Sequence, residues 1–171
     1  MLAQIIGLIA SIMMITSIQV KDKKNLYLIL NLFAKIFYGI NFILLSAYSA
    51  TVTQIIGLII TIVAYIYARK NLNVPRWLTI IFIIVTIIGG IFTYNNIYSF
   101  MAIGCGITYA LIMTSKNMRN IRKLNIIQSL LWTIYDLLVK AYTASISSAF
   151  VFISTLIAIL RYDILNKKEE Q

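Results

Sequence analysis

Two stripes of polar residues inside otherwise apolar segments hold the groups of this chain that could do chemistry. In the first, Asn31, Lys35, Tyr38 and Asn41 recur every three or four residues; in the second, Asn125, Ser129, Trp132, Tyr135 and Asp136 do so. That spacing puts each set on one face of a helix. Amide, hydroxyl and aromatic groups on facing helices can hold a small polar solute, so Tyr38, Asn41, Trp132 and Tyr135 are candidate substrate-binding residues. Lys35 and Asp136 are candidate buried charges, acting as gate or counter-charge. The same groups also suit interhelical glue, since lipid satisfies neither amides nor hydroxyls and each such contact contributes under ~2 kcal/mol. Both readings turn the stripes inward.

Lys35 is the sharpest case. It stands ~16 Å from the nearest basic border, close to a bilayer midplane, where a charged side chain costs ~3 kcal/mol. It therefore needs water or a partner. Asp136 is the only acidic residue within an apolar segment and is one candidate partner. Lys140, one turn after Asp136, competes for that carboxylate, and alone it can snorkel to the headgroups.

Other chemistry is excluded by residue type. With no His, the chain has no His-ligated metal, no Ser/His/Asp arrangement and no H-E-x-x-H helix. Paired membrane carboxylates and an activated nucleophile are missing too, so no enzyme, metal or cofactor is expected. Gly104-Cys105-Gly106 is too short for a phosphate loop and reads as a small-residue helix contact. The single Cys105 can form no internal disulfide.

The elements that must position the stripes follow from charge and hydropathy. Basic clusters stand at Lys21/Lys23/Lys24, Arg69/Lys70/Arg76, Lys116/Arg119/Arg122/Lys123 and Arg161/Lys167/Lys168. About 20 apolar residues precede the first, and roughly 37 to 44 separate the rest, which fits one span and then three pairs of spans. The spans read Leu2–Val20, Leu26–Ser46, Thr51–Ala68, Trp77–Thr93, Tyr98–Thr114, Leu124–Ala141 and Ile146–Tyr162. Because Lys and Arg gather on the cytoplasmic side, the N-terminus is expected outside and the C-terminus in the cytoplasm. The spans must be helices, since a lipid-exposed backbone needs internal partners and no period-2 alternation is present.

Composition agrees: 61% of residues are hydrophobic and only 12% charged, with mean hydropathy +0.90, too little polar surface for a water-soluble globule. The net charge of +10 sits in borders between apolar segments rather than on an aromatic-interleaved stripe, which excludes nucleic acid as a partner. Leu2–Val20 lacks a basic n-region and a small-residue cleavage site, so it is expected to stay as a span. Pro75 opens the fourth span beside Trp77. Tyr48, Tyr94, Tyr98 and Tyr142 fall at span ends as an aromatic belt. Gln4, Gly7 and Ser11, then Gln54, Gly57 and Thr61, then Thr86, Gly89, Gly90 and Thr93 form faces that let helices approach.

The chain also resembles itself. A shift of 94 residues lays Leu30–Ala68 on Leu124–Tyr162 with ten identities in thirty-nine positions, and the turn at Ala47-Tyr48-Ser49-Ala50 falls on Ala141-Tyr142-Thr143-Ala144. The expected fold is an all-α integral membrane protein with seven transmembrane helices. Residues 1–71 and 97–171 form two parallel three-helix units joined by a linker helix at 72–96, a three-one-three plan known among transporters such as the SWEETs.

Several of these residues carry a family resemblance across nearly the whole chain. They are Leu2-Ala3-Gln4 with Gly7, Gln19-x-Lys21-x-Lys23-Lys24, Phe42-x-Leu44-Leu45-Ser46-Ala47-Tyr48, Leu131-Trp132-x-x-Tyr135-Asp136 and Ile157-Ala158-Ile159-x-Arg161. The chain resembles the YgjV family of bacterial inner membrane proteins, whose plan is similar to SWEET, PQ-loop and PnuC-type carriers. It departs from the family pattern at Asn41, Ser46 and Thr61, where members often carry His, Gly and Arg, and it lacks the Pro-Gln pair of PQ-loop proteins. The resemblance implies a multi-pass protein of the bacterial inner membrane. The expected function is small-solute carriage through a cavity between the two units; the alternative is a non-transporting scaffold or modulator of a partner protein. Lipid and a small polar solute are the expected partners, and homo-oligomerisation stays open.

Overall fold

The computed structural model describes residues 2–21, 23–44, 48–92, 99–138 and 142–165, and among them every regular element is helical. The order is α1 (Leu2–Ile18), α2 (Lys24–Leu44), α3 (Tyr48–Arg69), α4 (Arg76–Phe92), α5 (Ser99–Thr114), α6 (Met118–Leu138) and α7 (Tyr142–Ile159), the last running into a π-helical turn at Leu160–Leu165. Three stretches are long and apolar enough to cross a membrane: Lys24–Leu44, Thr51–Arg69 and Ser145–Ile164. Gln4–Ile18, Arg76–Phe92 and Phe100–Thr114 are apolar but shorter. Of the expected turns opposite the basic borders, Ala47 and 94–97 lie outside the described residues, as does Lys140, whereas Tyr48-Ser49-Ala50 and Tyr142 to Ser145, expected as turns, already belong to the first turns of α3 and α7.

α6 begins six residues before the expected Leu124. Arg119, Arg122 and Lys123, expected to form a loop border, lie inside its first turns. Arg and Lys are good helix formers, and Asn117, a favoured N-cap type, precedes the helix with its carbonyl accepting from Ile121 N–H at 3.1 Å.

α3 ends in a Schellman motif. Leu72 N–H donates to Tyr67 O at 2.9 Å and Asn71 N–H to Ala68 O at 3.0 Å, with Asn71 left-handed at φ 54°. Asn tolerates that conformation better than any β-branched residue. Asn71→Val should therefore lower the unfolding free energy by ~1–2 kcal/mol, while Asn71→Gly should leave it within ~0.5 kcal/mol. Denaturant titration in micelles measures both, and equal losses would remove the left-handed cap as the cause.

Helix packing closes a ring. α1 packs on α2, α2 on α3, α3 on α5, α5 on α6, α6 on α7 and α7 back on α1; α4 packs on α3 and α5. Small residues make the α4 contacts close. A Cβ on Gly106 would overlap the Thr86 methyl, and one on Gly90 would overlap Ile103. The opposite side of α4 is apolar and exposed, from Trp77 through Ile80, Ile84 and Ile88 to Phe92. The largest core cluster lies toward the basic end of the ring, where Tyr27, Leu28, Ile60, Ala64, Ile112 and Met113 are buried together.

Candidate functional site

Most of the α2 stripe faces α1. Asn31 Nδ2 donates to Ser17 Oγ at 3.0 Å, the Tyr38 hydroxyl lies 3.0 Å from Ser11 Oγ, and Asn41 packs so close to Gly7 that a Cβ there would stand 3.2 Å from its amide nitrogen. The paired numbers fall on one side as they rise on the other, which is the register of an antiparallel helix pair. Ser11 spends its proton on Gly7 O at 2.9 Å, so Tyr38 donates to Ser11. Tyr38 also stacks on Phe42, ring centroids 6.3 Å apart. Gly7 and Ser11 thus form the close-approach face expected of the first span, whereas Gln4 is exposed. Tyr38 and Asn41 do not line the central cavity.

Lys35 departs from its stripe. Its ammonium sits 3.9 Å from the centroid of the Tyr109 ring, on α5. Gly57 of α3 makes room for both groups: a Cβ there would stand 3.3 Å from Lys35 Cε and 3.3 Å from Tyr109 Cε1. Tyr109 is itself fixed by its hydroxyl, 2.6 Å from Thr61 Oγ1. Thr61 donates to Gly57 O at 2.7 Å, so Tyr109 must donate to Thr61. The cation rests on a clamped aromatic face, an interaction contributing up to ~2 kcal/mol when desolvated.

Lys35 and Tyr109 line a cavity of about 20 Å³ together with Cys105, Thr86, Gln128 and Trp132, space for about one water molecule. α4 roofs it through Thr86, Gly89 and Gly90. Gln128 is buried, its Nε2 reaches Cys105 O at 3.4 Å, and its Oε1 has no hydrogen-bond partner. Of the six expected site residues, then, Lys35 and Trp132 share this cavity. Tyr135 meets Trp132 edge to face, centroids 5.6 Å apart and planes at 84°.

Asp136 lies elsewhere. It is buried against α7 and accepts from Ser148 Oγ at 3.0 Å. Lys35 and Asp136 form no ion pair; among the described residues the ion pair is Arg122–Asp163. The reason is direction: Lys35 leaves α2 toward α3 and α5, while Asp136 leaves α6 toward α7. The competing Asp136–Lys140 pair involves a residue outside those described.

The basic end carries a second constellation. Arg122 Nη1 donates to Asp163 Oδ1 at 2.6 Å, with side chains 2% and 7% exposed. Its Nη2 donates to Val20 O at 3.2 Å and to Lys21 O, and the guanidinium lies 5.0 Å from the Tyr162 ring centroid. Gln19 reinforces the seam by donating to Ser154 O and Oγ at 2.9 and 2.8 Å. One side chain of α6 thereby ties the end of α1 to the end of α7. Its signal was present: Arg122 precedes Asn125, Ser129, Trp132 and Asp136 at the same three- and four-residue spacing.

On the other side of the basic end lies an open basin of about 550 Å³, lined by Lys23, Lys24, Asn25, Asn71, Asn73 and Lys116 among others. Lys24 Nζ donates to Ser115 O at 2.6 Å, joining the start of α2 to the α5–α6 connection.

Compared with known proteins, residues 1–165 match the model of a family described as Imp-YgjV, bacterial inner membrane protein. No curated protein and no solved structure matches the chain.

Proposed function

This chain belongs to the Imp-YgjV family of bacterial inner membrane proteins, and we propose that it carries a small solute across that membrane through a site between two three-helix units. In this reading all seven helices span, the N-terminus is outside and the C-terminus cytoplasmic. The units are residues 1–71 and 97–171, joined by the linker region 72–96.

The order of the ring supports the repeat. Replacing α1, α2 and α3 by α5, α6 and α7 turns the α3–α5 seam into the α7–α1 seam, as a two-fold axis along the ring would. Burial repeats as well. Tyr27, Leu28, Asn31 and Ala34 are buried, and so, 94 residues on, are Ile121, Arg122, Asn125 and Gln128. Ile60, Thr61 and Ala64 have buried counterparts in Ser154, Thr155 and Ala158.

One observation carries the carrier reading: a lysine ammonium and an unpartnered amide oxygen line the same internal cavity. Leaving such an acceptor unsatisfied costs ~1–3 kcal/mol, and the cavity beside it has room for a water or a ligand atom that would relieve that cost. The cavity's small volume corresponds to a closed state, from which carriage requires opening along the α3–α5 seam. The second reading, a non-transporting scaffold, is favoured by the absorption of Tyr38, Asn41 and Asp136 into helix contacts. Neither reading invokes an enzyme activity or a cofactor.

Flux in reconstituted vesicles separates them. The full chain should accelerate release of a trapped solute over protein-free vesicles, and Trp132→Ala should slow it at least tenfold at unchanged melting temperature. Absence of flux for every class of solute would leave the scaffold reading.

A further inference from the structure

We infer that the solute is a small anion, held at the centre by Lys35 and gathered from one side of the membrane by the lysine-lined basin. This inference rests on the carrier reading and adds the substrate class to it.

Charge is the first ground. Among the described residues no carboxylate pairs with Lys35, and the one ion pair there is spent on Arg122 and Asp163. The Tyr109 face stabilises the ammonium only in part, by less than a charge at that depth costs. The residual cost is removed by a ligand of opposite sign. A cationic solute would raise it, and a neutral one would leave it.

The basin is the second ground, and it is independent of Lys35. Lys23, Lys24 and Lys116 reach it from two separate segments of the chain, and among the described residues its lining contains no acidic one. Lys23 and Lys116 are exposed, and no described carboxylate pairs with them. A concave, single-sign surface over low-dielectric walls concentrates anions and speeds their arrival. Tyr27 lies just inside the basin and Lys35 two turns deeper on the same helix, so the two cationic sites are separated by an apolar plug ~12 Å long.

The unpartnered Gln128 Oε1 refines the class. Beside the ammonium it offers an acceptor, so an anion that also carries a hydroxyl or amino donor fits better than one that does not. A small hydroxy- or aminocarboxylate has both features.

Vesicles containing the full chain and loaded with gluconate, succinate, choline or glucose test the inference. Release should exceed that of protein-free vesicles at least tenfold for the carboxylates, gluconate above succinate, and stay at background for choline and glucose. Lys35→Met should remove the carboxylate flux, and Lys35→Arg should keep a measurable part of it. Should the Lys35 variants fail to fold, Lys23→Gln with Lys116→Gln serves, both positions being exposed. That pair should slow carboxylate flux several-fold at low ionic strength, with the difference vanishing at high salt, where the field is screened. Choline or glucose flux without carboxylate flux would overturn the anion and leave the carrier standing. Carboxylate flux unaffected by Lys35→Met would also overturn it. No flux of any solute would overturn the carrier reading itself.

Discussion

Arg122→Met should lower the unfolding free energy by ~3–5 kcal/mol, among the largest single-residue losses in this chain, because it strands the Asp163 carboxylate where both side chains are almost fully buried. Asp163→Leu should cost a similar amount by stranding the guanidinium. The double variant should fall well short of the sum, since two apolar side chains remove both desolvation penalties together. Recovery should nevertheless be incomplete. Val20 O and Lys21 O lose their donor in every variant that lacks Arg122. Equilibrium unfolding of the four proteins in micelles gives the coupling directly, and a coupling below ~1 kcal/mol would show that the carbonyl contacts, not the ion pair, hold the seam.

At Lys35 the expected sign is opposite. With no carboxylate at hand among the described residues, Lys35→Met removes an expensive charge and forfeits only the contact with Tyr109. The balance is ~3 kcal/mol recovered against ~2 kcal/mol lost, so the variant should be as stable as the wild type or more stable by about 1 kcal/mol. Tyr109→Leu should destabilise instead, by ~2 kcal/mol or more, because the cation stays and its ring is gone. Tyr109→Phe, which keeps the ring and loses the hydroxyl donated to Thr61, should cost ~1 kcal/mol. Gain from Lys35→Met with loss of flux would identify a residue kept at the expense of stability. A clear loss of stability would instead reveal an anionic partner for Lys35.

How far these sites could be read beforehand depended on which physical quantity has a period. Hydropathy has one, so the helices were readable, as were the close-approach positions Gly7, Ser11, Gly57, Gly89 and Gly90. Amphipathic spacing also predicted that the polar faces of α2 and α6 turn inward. It could not say which neighbour each side chain meets, since a face some 100° wide serves two adjacent helices. Tyr38 and Asn41 therefore went to α1 and Asp136 to α7, while Lys35, long enough to choose, went to α5. Tyr109 was hidden because an aromatic ring receiving a cation leaves no charge pattern. Arg122 continues the α6 stripe yet reads as a border residue, because a topology signal and a buried clamp both place an Arg there. The early start of α6 has the same origin: a run of basic residues marks the end of an apolar segment without marking the end of a helix.

The clamp at the basic end also sets an order of assembly. Its parts lie at Val20, Lys21, Arg122 and Asp163, and Gln19 meets Ser154 across 135 residues of chain. Synthesis proceeds from the first helix to the last, so the α1–α7 seam cannot close until Asp163 has left the ribosome. Until then α1 is packed on α2 alone, and Arg122 waits without its carboxylate. A chain terminated before residue 163 lacks the carboxylate that closes the clamp, so its α1–α7 seam is left to the contact of Gln19 with Ser154. In this protein the final few residues of the folded body decide whether the ring closes, since α1 already rests on α2 and only its seam with α7 waits for them.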